Sequence, residues 1–221
     1  LIVHKHAHKS TLYELPFIAE LLTYKISNGD SITPVNQLKD LGVIVSSDLS
    51  WSAHVNTIAS RARSIAAWVL SAFKTRDRTT MLTLYKSLVR SHLEYCCPLW
   101  NPHKIGDIEQ LESVQRTFTS RIWGVQHLSY WERLKALNLM SLQRRRERYM
   151  VIHMWKILHG HCPNDINVQF AKHSRHGVKA LVPVLSRSSS QRNQNIYDHS
   201  FSVTAPHLWN IIPISLHGVG D

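Results

Sequence analysis

Residues 51–73 read WSAHVNTIASRARSIAAWVLSAF, with Trp51, Val55, Ile58, Ala62, Ile65, Val69 and Phe73 recurring every three or four positions. At 3.6 residues per turn these side chains line one stripe of a helix, so the spacing predicts an amphipathic helix with a buried seam. Ser50 reads as its N-cap, because a serine oxygen can accept from a free first-turn N–H. The same period continues toward the C-terminus. A second helix is predicted from about Asp77 to Cys96, with Met81, Leu84, Tyr85, Leu88 and Val89 inward and Pro98 ending it. A third runs from Ile105 to Trp123 on Ile108, Leu111, Val114, Phe118 and Ile122, and stops at Gly124. Ser129-Tyr130-Trp131-Glu132 has the spacing of a capping box and opens a short fourth helix. A fifth starts near Ser141 and passes through Leu142, Tyr149, Ile152, Trp155 and Leu158 to Gly160.

Upstream of residue 50 the period falls to two. Leu21 to Ile26 and Ser31 to Val45 flank Ser27-Asn28-Gly29-Asp30, and Asn-Gly predicts a β-hairpin because both central positions of a type I′ turn need positive φ. The second arm is long, is interrupted by Pro34, and ends in an apolar run, Leu38 to Val45. There Gly42 marks either a bulge or a close approach of the backbone to a ligand. Beyond Gly160, Pro163, Pro183 and the polar tract Ser186 to Gln194 predict loops. Phe201, Val203, Leu208, Trp209, Ile211 and Ile212 are too apolar for a free tail, and predict a clamp on the helical body between Pro206 and Pro213. The predicted fold class is mostly α: an N-terminal β-hairpin followed by a helical bundle, with a loop-rich C-terminal segment.

Composition narrows the function. In 221 residues, 26 Lys+Arg against 15 Asp+Glu leave a net charge of +11, while 43% hydrophobic residues suffice for a core. Nine of the cations lie between Ser113 and Gly160, against Glu132 and Glu147 alone. A basic field of this kind attracts polyanions through counterion release, so nucleic acid is the expected partner, with a merely solvated basic face as the alternative. No apolar stretch approaches the roughly 18 residues that span a bilayer, and Leu1-Ile2-Val3-His4-Lys5 lacks the order of a signal peptide. We therefore expect no membrane partner and an intracellular location, in cytoplasm or nucleus. The chain begins at Leu1 and its first methionine is Met81, which reads as a piece of a longer polypeptide.

Catalytic patterns are absent. There is no GxGxxG, Walker loop, GxSxG or HExxH, and Asp30, Asp40, Asp48 and Asp77 show no paired spacing for two-metal chemistry. His4, His6 and His8 alternate on one strand face but no nearby carboxylate completes that set, and His159, His161 and Cys162, which follow a helix end, are a second candidate group of ligands. Cys97 reads as core packing rather than a nucleophile. We expect no catalytic residue, no metal and no cofactor. Binding groups are present instead. His54, Arg61, Ser64 and Trp68 fall opposite the apolar stripe of the first helix, a cation and aromatic combination suited to phosphate and base. Lys74, Arg76 and Arg78 add cations at the following junction, and Arg144, Arg145 and Arg148 form another group at the start of the fifth helix.

Several stretches, in order, resemble one family. Leu38-Lys39-Asp40-Leu41-Gly42-Val43, Asp48-Leu49-Ser50-Trp51-Ser52-Ala53-His54-Val55, Met81 to Tyr95, and Leu99-Trp100-Asn101-Pro102 are similar to the distal part of the reverse transcriptase of LINE-type, jockey-like non-LTR retrotransposons. Leu111 to Arg116 and Tyr130 to Leu134 continue the likeness, which runs from about Val35 to Gly160. Phe201-Ser202-Val203 with Leu208-Trp209-Asn210 and Pro213 resembles the closing motif. The resemblance implies that residues 1–48 are a remnant of the palm and primer-grip region. Within it, the hairpin carrying Lys39 and Gly42 would hold the primer end. It implies a thumb-like helical bundle in 49–125, cradling an RNA/DNA template–primer duplex, and a C-terminal helical and loop-rich region in 126–221. It also implies that the palm, with its paired aspartates, lies upstream of Leu1 as a missing partner domain, so that this chain alone is expected to be inactive. The alternative expectation is a host-retained helical module docking proteins through Trp123, Trp131 and Trp155, or a transposon remnant without a role.

Overall fold

The computed structural model describes residues 24–25, 31–32, 34–163, 168–170, 181–183 and 191–213. The chain divides into two compact units, Leu1–Ser50 and Trp51–Asp221. The architecture is mostly helical, with N-terminal antiparallel pairing followed by helices.

In the first unit, β1 (Tyr24–Lys25) pairs with β2 (Ser31–Ile32) in the register Tyr24↔Ile32, on either side of the Asn-Gly stretch. The turn itself lies outside the described residues. The long second arm does not form. Instead β3 (Gln37–Asp40) and β4 (Val43–Ser46) make their own antiparallel hairpin, with Asp40 opposite Val43. The two residues between them, Leu41 and Gly42, have φ of 45° and 90°, the positive sign that a tight type I′ turn demands at both positions. Gly42 is thus a turn residue, and the bulge reading is corrected. Pro34, which lacks an N–H, sits between the two pairs, and Ser47 N–H closes the second one by donating to Asn36 O at 2.8 Å.

In the second unit, α1 (Ser52–Ala72) buries Val55, Ala59, Ala62, Ala66 and Val69. It packs on α4 (Ile105–Thr119). Alanines on that seam bring the two backbones close, so an added methylene at Ala62 would cost about 1–3 kcal/mol in overpacking. Trp51 occupies the N-cap without a side-chain bond, while the Ser50 N–H donates to Asp48 Oδ1 at 3.0 Å, so the expected Ser50 cap is corrected.

The helix predicted over 77–96 is broken by a change of pitch. It comprises α2 (Arg78–Leu84), a π-helical segment (Tyr85–Val89) and α3 (Arg90–Glu94). Asp77 caps it by accepting from Thr80 N–H at 3.0 Å. The wider π turn shifts the phase of everything after it, keeping Tyr85 and Val89 inward and leaving Leu88 36% exposed, contrary to its inward placement. The helix ends before Pro98, at Glu94, and Cys96 beyond it has φ of 52°.

Local chemistry reproduces the next two helices. α5 (Tyr130–Ala136) has the capping box, with Ser129 N–H donating to Glu132 Oε2 at 2.9 Å. α6 (Leu142–Leu158) is capped by Ser141 Oγ, which accepts from Arg144 N–H at 3.2 Å. α4 itself ends at Thr119, and Gly124, with φ of 81°, turns the chain a few residues later.

The C-terminal region holds more structure than the loops expected. β5 (Val168–Phe170) pairs with β6 (Leu181–Pro183), and α7 (Gln191–Asp198) begins within the polar tract. α8 (Phe201–Ile211) contains Pro206. Its Ala205 and Trp209 form a core with Met150 and Met154 of α6, flanked by Phe201 and Leu208, which is the expected clamp. Ile211 is 78% exposed and takes no part in it.

A polar cluster is sealed into the middle of this unit. Tyr85 OH donates to Gln115 Oε1 at 2.7 Å, and Gln115 Nε2 donates to Tyr130 OH at 2.9 Å and to Met140 O at 3.1 Å. Glu112 accepts from Tyr130 OH and, at 3.0 Å, from Leu142 N–H at the start of α6. Buried polar atoms of this kind are tolerated only when each finds a partner, so the cluster fixes how α4, α5 and α6 meet.

Candidate nucleic-acid interface

The inner seam of α1 decides what its outer face offers to solvent. With Val55, Ala62 and Val69 inward, Arg61, Ser64 and Trp68 project outward, and Trp68 leaves 58% of its surface in water. Arg61 reaches toward α3, where its charge adds to burial in lowering the pKa of His92. Lys74 is exposed just beyond the helix end. Arg61 and Lys74 make no ion pair among the described residues. His54 does not join them: it is only 2% exposed and meets Trp100 edge-on at 4.9 Å, with burial lowering its pKa. Its expected place opposite the stripe is corrected, because Trp100, in the segment after α3, packs against it.

The two arginines after Lys74 are engaged with backbone. Arg76 donates to Leu70 O, to Phe73 O and, at 2.8 Å, to Thr75 O, closing the carbonyl end of α1 where the helix dipole favours a cation. Arg78 donates to Ala136 O, at the carbonyl end of α5.

The basic group on α6 divides in the same way. Arg144 and Arg148 are exposed. Arg145 is paired with Glu94 and bonded to Tyr149 OH at 2.8 Å. Arg146 is 1% exposed, its Nε donating to Asn101 Oδ1 at 3.2 Å, and burial lowers its pKa. Of the other cations between Ser113 and Gly160, Arg133 is buried and donates to Leu128 O at 2.7 Å. Arg116 pairs with Glu109 at 3.2 Å and lies over the Tyr130 ring. Arg121, Lys135 and Lys156 remain exposed. The uniformly basic surface expected over this stretch is therefore thinned by internal commitments.

In the first unit, Lys39 is exposed on β3 opposite Ile44, next to the Leu41-Gly42 turn. Among the described residues no three His, Cys, Asp or Glu side chains converge to hold a metal ion. His4, His6 and His8 lie outside the described residues. Cys97 is buried, and desolvation pushes its thiol up to about 12, which suits a packing role. Also among them, no helix is long and apolar enough to cross a membrane.

Sequence reasoning assigned Trp155 and the histidines after it to separate roles, and the structure joins them. His159 stacks on Trp155 at 4.4 Å between ring centres, and His161 at 5.3 Å. The Trp155/His159 spacing of four residues was the available signal, since it places two rings on one helix face.

Over 122 residues the chain is 27% identical to a probable RNA-directed DNA polymerase from transposon X-element of Drosophila melanogaster, which covers 52% of this chain and 13% of that protein. The chain thus corresponds to a small part of the relative's length, and the similarity supports an origin related to transposon reverse transcriptases. No protein-family model and no solved structure matches the chain.

Proposed function

We propose that this chain is the thumb-like and C-terminal part of a retrotransposon RNA-directed DNA polymerase. In this reading it binds the template–primer duplex and leaves nucleotide addition to a palm domain outside it. The observation that carries the reading is the partial identity to the X-element polymerase. It is supported by an outer face of α1 that presents Arg61 and the Trp68 indole, with Lys74 exposed just beyond the helix end and no acidic side chain on the helix. Arg61 and Lys74 would neutralise phosphates, Trp68 would lie against sugar or base, and the β3–β4 hairpin with Lys39 and Gly42 would meet the primer end. Such contacts position a duplex without reading its sequence.

Titration of a DNA duplex across ionic strengths tests this. Affinity should fall steeply with salt, and Arg61→Ala with Lys74→Ala should reduce the slope of log affinity against log salt by about 0.9 for each phosphate left without its cation. Affinity indifferent to salt, or absent at low salt, removes nucleic acid as the partner. A helical protein-docking module then becomes the better reading, resting on the exposed Trp123 and Trp131.

A further inference from the structure

α6 carries a second cationic and aromatic surface that duplex binding by α1 leaves unused. At about 100° per residue, Arg144, Arg148, Ile152, Trp155 and His159 fall within a sector of about 80° along one side of the helix. The opposite side is the buried one, with Leu142, Arg146, Met150 and Ile157. The row extends for about 22 Å at 1.5 Å per residue. Arg144 and Arg148 stand exposed at its N-terminal end and make no ion pair among the described residues. The acid nearest them in sequence, Glu147, accepts from Gln143 at 3.3 Å on another side of the helix.

At the C-terminal end the row becomes an aromatic cluster centred on Trp155. Trp155 is half-buried and packs against the Met150, Met154, Ala205 and Trp209 core, which holds its ring in place. His159 and His161 stack on it with both ring planes tilted by only 26°, and both imidazoles are exposed. His159 Nδ1 lies 2.9 Å from Trp155 O; a carbonyl can only accept, so Nδ1 carries the proton and the ring is anchored. The result is a pre-oriented set of rings, rooted in the core and ending in exposed imidazoles, in line with two guanidinium groups that make no ion pair among the described residues.

We propose that this face of α6 binds single-stranded nucleic acid, with unpaired bases stacking on the exposed rings of His159 and His161, Trp155 lying between those rings and the core, and phosphates running along Arg148 and Arg144. The open ring faces choose the partner. Bases inside a duplex already cover each other's faces, whereas an unpaired base gains by stacking on an aromatic side chain, and every base has a face to offer. The inference rests on the nucleic-acid reading above and assigns a different helix to a different state of the strand.

The test uses the full 221-residue chain, fluorescein-labelled U12 and dT12, and a DNA duplex, followed by fluorescence anisotropy. His159→Ala with His161→Ala should weaken single-strand binding on the order of tenfold and leave the salt slope unchanged. His161→Phe, which keeps a ring, should retain the affinity. Arg144→Ala with Arg148→Ala should lower the single-strand salt slope by about 1.4, roughly 0.7 for each phosphate left without its cation. Tighter binding of U12 or of dT12 assigns the site to RNA or to DNA, and either supports it. Single-strand affinity that is absent, or that ignores the α6 variants and follows Arg61 and Trp68 instead, overturns the inference. Duplex affinity that still depends on Arg61 would leave the proposed function standing in that case. Loss of all binding at low salt removes both.

Discussion

Arg145 on α6 grips Glu94 on α3 with two parallel hydrogen bonds, Nε to Oε1 and Nη2 to Oε2, the latter at 2.9 Å. Tyr149 OH bridges the pair, 2.8 Å from Nη2 and 3.3 Å from Oε2, and both charged side chains are largely shielded from water. A side chain that reads from the sequence as a phosphate contact is thereby a tie between two helices.

Removing the acceptor should show that role. Glu94→Ala strands the Arg145 guanidinium and should cost about 2 kcal/mol, whereas Arg144→Ala and Arg148→Ala should each stay within about 0.5 kcal/mol. Urea unfolding of the three variants measures the difference. Equal costs for Arg144 and Glu94 would contradict the division of the basic cluster.

Arg76 and Arg61 should separate in the opposite sense. Arg76→Ala opens the carbonyl end of α1 and should lower stability by about 1 kcal/mol, while Arg61→Ala should leave the urea midpoint unchanged and reduce the salt slope of duplex binding. If Arg61→Ala destabilised the fold as much as Arg76→Ala, the outer face of α1 would not be a free surface.

Acid should unfold the helical unit through His54. Burial holds its pKa below 6.5, so the native state keeps it neutral while the unfolded chain takes up a proton as pH falls. The contribution is therefore present above pH about 6.5 and is lost as pH drops through the depressed folded value; His92 and His103 act in the same direction. Unfolding midpoints measured from pH 7.5 to 5 should decline in the wild type, and His54→Phe should flatten the decline. An unchanged slope in that variant would assign the acid sensitivity elsewhere.

Gln115 should be harder to replace alone than together with its partner. Gln115→Met keeps the volume but leaves the Tyr85 hydroxyl buried without its acceptor, which should cost about 2 kcal/mol. Adding Tyr85→Phe removes the stranded group, so the double variant should be more stable than the sum of the two single costs allows. A thermodynamic cycle by chemical denaturation reads this coupling, and strict additivity would refute it.

Much of the fold is written in local chemistry. The seam of α1, the capping box at Ser129 and Glu132, the cap at Ser141 and the stop at Gly160 each depend on residues within a turn or two of each other. The β1–β2 pairing follows the Asn28-Gly29 signal for the same reason. The hairpin at Leu41-Gly42 escaped because its first turn position is a leucine, and a side chain at positive φ is unfavourable unless the strands on either side impose it. The π segment escaped because Tyr85 and Val89 fit an α-helical stripe almost as well, and the Tyr85–Gln115 bond inside the core is absent from any local pattern.

By itself the sequence determined a mostly helical chain, its caps and stops, its excess of positive charge, and the helices that carry it. Which cations are left to meet a partner was decided only by the tertiary structure. Arg145 is claimed by a glutamate 51 positions away, and Arg78 by a carbonyl 58 positions away, whereas nothing claims Arg61, Arg144 or Arg148 among the described residues. A guanidinium stays in water or turns inward according to which acceptor the packing brings within about 3 Å, and that proximity exists only once remote helices have met.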